Sequence, residues 1–239
     1  MYRVERAIIM AAGLGNRMKP VTLYTPKPLI SVNGTRMIDS VIQALHSNGI
    51  NEIYVVVGYL KEQFKDLTER YDGITLIDNP YYDKCNNIAS LFVARDYIKN
   101  AIILDADQLI INKSALRPEF EMSGYNGVFV DGHTDEWLMQ TEGGRVVSCS
   151  RTGGSRGWQL FSVSRWNEED GALLKKHLEL EFLERKNTGV YWDDIPMFLH
   201  RDEYNLGVFE MQIGDVVEID TVNELCDIDS SYKKYIQEN

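Results

Sequence analysis

The first hundred residues alternate between short apolar runs and amphipathic stretches. The runs "RAIIMAAG", "EIYVVVGY" and "ITLIDN" are typical of buried strands in a parallel sheet. Between them, "MIDSVIQALHSNG" places its apolar residues on one helical stripe and ends at a glycine, and "KEQFKDLTER" predicts a short polar helix. This alternation of strands and helices predicts a parallel sheet with helices on both faces.

The pattern changes after about residue 110. "NNIASLFVARDYIKN" predicts one more helix and "AIILDADQLI" a strand that ends in acidic residues, and shorter alternating runs follow. Gly143 and Gly144 predict a hairpin turn, so an antiparallel portion joins the parallel one. A helix over about 167–184, a strand pair around "LGVFEMQ" and "VVEID", and a last helix with a capping box at Thr221 complete the chain. We therefore expect an α/β fold, a mostly parallel mixed sheet flanked by helices, in a single domain over 1–239.

Charge and cysteine content narrow the function classes. The formal net charge is -11, so we expect repulsion from nucleic acid and from anionic membranes, and neither as a partner. The three cysteines are far apart and form no CxxC pair, which argues against a disulfide framework or a zinc site and favours the reducing cytoplasm. No stretch approaches the ~18 apolar residues of a membrane span.

The segment "AAGLGNRMKP" is a glycine-rich turn between a strand and a helix. Such turns approach anions closely with backbone N–H groups, which favours a phosphate ligand. The third glycine of the dinucleotide fingerprint and the GK[ST] of the phosphate loop are both absent. Instead Arg17 follows the turn directly, where a guanidinium can grip a triphosphate, and Lys27 lies on a stretch that Pro26 and Pro28 hold extended.

Two pairs of carboxylates follow apolar runs. Asp105 and Asp107, and again Glu218 and Asp220, are two residues apart and so share a face of a strand. An unpartnered charge there is costly, whereas a hard cation prefers oxygen ligands, so the pairs favour a shared Mg²⁺ site. The Asp-x-Asp of metal-dependent glycosyltransferases is a competing interpretation, but those enzymes lack the AAGxGxR opening.

Aromatic residues beside acidic ones occur twice in the second half, in "TDEWLMQ" and "GVYWDDIPM". Trp137, Tyr191 and Trp192 with neighbouring carboxylates are typical of a site for a quaternary ammonium group, which aromatic faces and negative charge hold. Ordinary core packing is the alternative for each aromatic residue.

The opening segment "IIMAAGLGNRMKPVTLYTPKPLISVNG" closely resembles the signature of nucleotidylyltransferases, which join a nucleoside triphosphate to a phosphorylated alcohol or sugar and release pyrophosphate. The implied fold is Rossmann-like, as in nucleotide-diphospho-sugar transferases, with a nucleotide-binding part over about 1–110 and an acceptor-binding part over about 111–239. By position, the resemblance implies nucleotide contacts from Ala11, Ala12, Gly13, Gly15, Arg17, Lys19 and Asp105. It also implies that Arg17 and Lys27 act at the reacting phosphates and that Asp107 and Asp220 hold Mg²⁺.

Shorter motifs, "VVVGYLKEQF", "NNIASL", "DAD", "EWLM", "YWDD" and "EIDTV", make the chain similar to bacterial CTP:phosphocholine cytidylyltransferases. That likeness implies in-line attack of phosphocholine on the α-phosphate of CTP, giving CDP-choline. It implies a cytidine site at Asn86, Asn87 and Ser90, and a choline site at Trp137, Tyr191, Trp192, Asp193 and Glu218.

Other functions stay open at this point. Phosphoethanolamine or 2-aminoethylphosphonate can use the same carboxylates, a sugar 1-phosphate is a broader alternative, and a non-catalytic nucleotide- or choline-binding subunit belongs to another class. The sequence leaves the oligomeric state undetermined.

Overall fold

The computed structural model describes residues 1–236. Its strands are β1 (Tyr2–Arg3), β2 (Arg6–Ala11), β3 (Ser31–Val32), β4 (Thr35–Arg36), β5 (Glu52–Val57), β6 (Ile74–Asp78), β7 (Ala101–Asp105), β8 (Gln108–Ile110), β9 (Glu119–Phe120), β10 (Gly124–Thr134), β11 (Leu138–Glu142), β12 (Arg145–Ser150), β13 (Gly154–Trp166), β14 (Gly207–Glu210) and β15 (Val216–Glu218). Nine of these strands form the main sheet, in the order β10-β14-β12-β11-β13-β7-β2-β5-β6.

Helices cover both faces of this sheet. The α-helices are α1 (Met37–Ser47), α2 (Lys65–Arg70), α3 (Ile88–Val93), α4 (Glu168–Glu179) and α5 (Val222–Ile228), and two π-type turns span Leu180–Glu184 and Ile195–Leu199. Short 3₁₀ turns span Asn16–Met18, Val21–Leu23, Lys27–Leu29, Lys61–Phe64, Arg95–Tyr97, Lys113–Leu116, Arg201–Glu203 and Ser230–Tyr235. None of the helices within residues 1–236 combines the length and apolar character needed to cross a bilayer.

The parallel half of the sheet agrees with the expectation from the apolar runs. β6, β5, β2 and β7 are adjacent and parallel, with β2 between β5 and β7. The centre of β2 is fully buried because one helical layer packs on each face, α1 on one side and α3 and α4 on the other. The predicted α/β fold with a mostly parallel mixed sheet is confirmed.

β13 joins the second half of the chain to this sheet, antiparallel to β7. The predicted hairpin is present, since Gly143 and Gly144 turn between β11 and β12 with φ of 56° and 79°. The helix expected over 167–184 is α-helical to Glu179 and continues as a π-type turn. The last helix begins at the predicted capping box of Thr221 and Glu224.

Two expectations about strands were wrong. The run "AIILDADQLI" is not one strand, because the chain breaks after Asp105 and resumes as β8 at Gln108. The segments "LGVFEMQ" and "VVEID" do not pair with each other: β14 pairs in parallel with β10, and β15 pairs antiparallel with β8. Both differences matter for the site, since the break leaves Asp107 between two strands and the β8–β15 ladder brings the two acidic segments together.

Candidate active site

A cavity of about 390 Å³ opens at the carboxyl ends of β2 and β7, where ligands bind in open parallel sheets. Most residues predicted from the sequence line it: Ala11, Ala12, Gly13, Gly15, Arg17, Lys27, Asn86, Asn87, Ser90, Asp105, Asp107 and Asp220. Lys19 is exposed and is not among the lining residues. The structure thus gathers residues from three distant parts of the chain at one edge of the sheet.

The two glycines of the turn, Gly13 and Gly15, have different surroundings. Gly15 has a φ of 62°, and a Cβ on it would lie 2.9 Å from Thr22 Cγ2 and 3.3 Å from Lys27 Cβ. The Thr22 hydroxyl donates a hydrogen bond to the Gly15 carbonyl at 2.8 Å, which closes the turn. Gly13, in contrast, has open space around it and faces the cavity. The backbone at Gly13 is therefore accessible from the cavity, whereas Gly15 packs tightly against Lys27.

Lys27 lies between the two aspartates predicted to bind metal. Its Nζ donates to Asp107 Oδ2 at 2.6 Å and to Asp220 Oδ1 at 2.7 Å, and Arg17 Nη2 lies 2.8 Å from the same Asp220 oxygen. Burial opposes a charged lysine, but the charges and hydrogen bonds of Asp107 and Asp220 outweigh it and raise the pKa of Lys27. Although burial acts in the opposite direction, Lys27 and Arg17 lower the pKa of Asp220. Lys27 and Asp220 therefore both stay charged at neutral pH.

The β8–β15 ladder explains why Asp107 and Asp220 meet. In its register Glu218 lies opposite Gln108, and the Ile219 N–H donates to the Asp107 carbonyl at 3.1 Å. One carboxylate oxygen from each aspartate then faces the position that the Lys27 ammonium occupies. Mg²⁺ binds through one or two carboxylates plus substrate phosphates, so the carboxylate oxygens of Asp107 and Asp220 are a donor set that suits Mg²⁺.

The other end of the cavity contains amide side chains. Asn79, which the sequence analysis missed, is buried just after β6, and its Nδ2 donates to Ser90 Oγ at 3.0 Å. Its only sequence signal is its place after a parallel strand. Asn86 Nδ2 donates to the Gly189 carbonyl, and Asn87 Oδ1 accepts the Trp192 N–H at 2.9 Å. These amides tie the loop that carries Tyr191 to the wall of the cavity.

Three carboxylates lie near one another here: Asp105 lines the cavity, and Asp193 and Glu218 are close enough to act on its charge. Burial, followed by the charges of Asp107, Asp193 and Glu218, raises the pKa of Asp105 well above its usual range. Burial raises the pKa of Asp193 to about 7, and burial with the charge of Asp107 raises the pKa of Glu218 to about 8. Carboxylates this costly to ionise mark a place for a positively charged group.

The three aromatic residues predicted for the acceptor have different environments. Trp137 and Tyr191 meet edge to face, with ring centroids 6.0 Å apart, and Tyr191 is 49% exposed. Trp192 is buried in the core, where its ring stacks on Tyr125 and meets Trp166 edge on. The core alternative thus describes Trp192, whereas Trp137 and Tyr191 form an accessible pair.

Phe198 and Arg151 also lie near Trp137, and neither was predicted from the sequence. Phe198 packs edge to face on Trp137 at 5.4 Å, and the Arg151 Cζ lies 3.8 Å from the Phe198 ring centroid and 5.7 Å from that of Trp137. Phe198 belongs to an apolar run and Arg151 to a turn, so neither stood out in the sequence.

The fold and this site are those expected of a nucleotidyltransferase: a glycine-rich turn, two basic residues and paired carboxylates lie at the edge of a parallel sheet. The family profile of the MobA-like NTP transferase domain matches residues 7–179. The chain belongs to that family.

Three relatives that match over more than nine tenths of the chain are cytidylyltransferases. The 2-aminoethylphosphonate cytidylyltransferase of Lancefieldella rimae is 39% identical over 95% of this chain and 92% of that protein. The choline-phosphate cytidylyltransferase of Streptococcus pneumoniae is 32% identical over 92% of this chain and 94% of that protein. The solved structure of the CTP:phosphocholine cytidylyltransferase from Streptococcus pneumoniae superposes with a TM-score of 0.88 at 31% identity, covering 96% of this chain and 99% of that one.

Proposed function

We propose that the protein transfers a cytidylyl group from CTP to a small acceptor that carries both an ammonium group and a phosphonate or phosphate, and that 2-aminoethylphosphonate is the preferred acceptor. The carboxylate cluster of Asp105, Asp193 and Glu218 beside the cavity carries this proposal. A primary ammonium has three N–H donors and can satisfy several carboxylates at once. The relative from Lancefieldella rimae, 39% identical, acts on this acceptor by its name.

The reaction follows from the charges in the cavity. A phosphonate oxygen of the acceptor attacks the α-phosphorus of CTP in line, a new P–O bond forms, and the bond to the leaving pyrophosphate breaks. Arg17 and Lys27 neutralise the phosphate charge that would otherwise keep the two anions apart. Mg²⁺, held by Asp107 and Asp220, supplies further charge neutralisation when it is bound.

Backbone groups at Ala11, Ala12 and Gly13 are proposed to contact the nucleoside, with Asn86, Asn87 and Ser90 near the cytosine. Lys19 lies outside the cavity lining, so we give it no role in the chemical step. Trp192 belongs to the core and is not part of the proposed acceptor site, which comprises Trp137, Tyr191, Asp193 and Glu218.

Phosphocholine is a second candidate, because the accessible pair of Trp137 and Tyr191 offers π-faces to a cation. The two acceptors use the site differently. A trimethylammonium group has no N–H donor, so it depends on the aromatic faces, whereas a primary ammonium depends on hydrogen bonds to carboxylates.

The test is pyrophosphate release with Mg²⁺ from CTP, UTP, ATP or GTP, each paired with 2-aminoethylphosphonate, phosphoethanolamine, phosphocholine or glucose 1-phosphate. We expect the highest kcat/KM with CTP and 2-aminoethylphosphonate. A preference for phosphocholine would overturn the choice of acceptor, and turnover with the sugar phosphate alone would overturn the acceptor class.

Glu218→Gln and Trp137→Leu separate the two modes of recognition. With a primary amine as the natural acceptor, Glu218→Gln raises its KM more than Trp137→Leu does. The reverse order would indicate a quaternary ammonium. Lys175→Met, which removes an exposed partner of Asp96 on α4, serves as the control that should leave both constants unchanged.

A further inference from the structure

Arg151 lies beside the aromatic residues of the proposed acceptor site, Trp137, Tyr191 and Phe198, which we call the aromatic wall. A buried carboxylate on another segment fixes its position. Arg151 follows β12 in the turn to β13, and its Nε donates to Asp194 Oδ1 at 2.9 Å. Asp194 is buried, and its other carboxylate oxygen accepts the Tyr191 N–H at 2.9 Å. One carboxylate thus positions both the guanidinium and the backbone of an aromatic residue in this wall.

The guanidinium occupies an aromatic face. Its Cζ is 3.8 Å from the centroid of Phe198, which is contact distance, and Phe198 packs on Trp137. A cation at this place uses the same attraction that would hold a ligand cation over the ring. The face of Phe198 is therefore already taken by a charge that belongs to the protein.

Arg151 is also close to the carboxylates of the proposed acceptor site. Asp194, to which it donates, directly follows Asp193 in the chain. Both charges also act on the Cys149 thiol: burial and the charge of Asp193 raise its pKa to about 12, and Arg151 opposes that rise. Arg151 thus contacts the aromatic residues on one side and the segment that carries Asp193 on the other.

We propose that Arg151 is a specificity-determining residue, which selects acceptors with a compact primary ammonium over those with a trimethylammonium group. This inference rests on the proposed function. A primary ammonium needs the carboxylates and loses little when a guanidinium covers Phe198. A trimethylammonium group is wider and cannot donate hydrogen bonds, so it loses an aromatic face and the space that the guanidinium fills.

Arg151→Ala tests this by the ratio of kcat/KM for phosphocholine to kcat/KM for 2-aminoethylphosphonate. Opening one cation–π face should raise the ratio roughly 2- to 30-fold, mainly through a lower KM for phosphocholine. Tetramethylammonium, which probes the head-group compartment alone, should inhibit the variant more strongly than the wild type. Arg151→Gln, whose amide can still donate to Asp194, provides a second variant if the alanine variant folds poorly.

Arg156→Ala is the matched control, because Arg156 also lies over an aromatic ring, Phe129 at 5.6 Å, and faces a carboxylate, Asp131 at 3.9 Å. It should leave the ratio unchanged. If Arg151 is only structural, both acceptors lose activity equally and the inference is wrong. If the wild type uses neither acceptor, the proposed function and this inference are both wrong. If the wild type is active and Arg151→Ala leaves the kcat/KM ratio unchanged, only the inference is wrong.

Discussion

Replacing Lys27 by methionine keeps most of the side-chain volume and removes the charge between Asp107 and Asp220. The Lys27 side chain is 9% exposed, whereas the two carboxylates are 33% and 35% exposed. Breaking a fully buried ion pair costs about 3–5 kcal/mol, but solvent screens these carboxylates in part, so we expect about 2–3 kcal/mol. For a chain of this length that corresponds to a Tm lowered by roughly 4–12 °C.

Under the proposed function, the same substitution also removes one electrostatic contact to the reacting phosphates, and kcat should fall by about 10²–10³-fold. Thermal unfolding and pyrophosphate release, each with and without Mg²⁺, separate the two effects. Mg²⁺ can take the place between the carboxylates and so should restore part of the Tm. It cannot replace the lysine at the phosphates, so the rate should stay low.

Lys175→Met removes a lysine from an exposed ion pair with Asp96 and should cost no more than about 1 kcal/mol, with no loss of rate. The interpretation of Lys27 is wrong if Lys27→Met unfolds within about 1 °C of the wild type. It is also wrong if that variant keeps more than about a tenth of kcat.

Two further predictions concern the glycine turn and the acceptor carboxylates. Gly15→Ala should lower the Tm and the rate, because the new Cβ would meet Thr22 and Lys27 at a residue with positive φ. Gly13→Ala should keep the Tm and raise the KM for CTP, because there is open space around Gly13 in the cavity. Equal Tm values for the two variants in unfolding scans would contradict this. The pKa of Asp193 is raised to about 7, so the fold favours its protonated form and a bound cation its ionised form. The KM of the acceptor should therefore fall as pH rises toward about 7 and level off above it. The free protein should lose stability relative to Asp193→Asn as pH rises from about 4, the ordinary pKa of an aspartate, to about 7. An acceptor KM profile that Asp193→Asn leaves unchanged would assign the pH dependence to the substrate's own phosphonate.

Short-range patterns in the sequence were enough to predict the parallel half of the sheet and the candidate phosphate site. The apolar runs of β2, β5 and β7 and the stripe of α1 give the parallel half of the sheet, because a buried strand or helix leaves a short-range hydrophobic period. The glycine turn with Arg17 and Lys27 indicated phosphates, because close approach to an anion requires bare backbone followed by cations. Both signals lie within a few residues, so they need no knowledge of distant contacts.

Pairing between distant segments was decided by the tertiary structure. The sequence predicted that β14 and β15 pair with each other, but β15 pairs with β8, and only that ladder brings Asp220 to Asp107 and Lys27. The same holds for side-chain environments: Trp192 lies in the core although Tyr191 beside it is exposed. Arg151 acquires its place over Phe198 from Asp194, a residue on another segment. Strand register and burial depend on the whole set of packed surfaces, and a local pattern of apolar and charged residues does not contain that information.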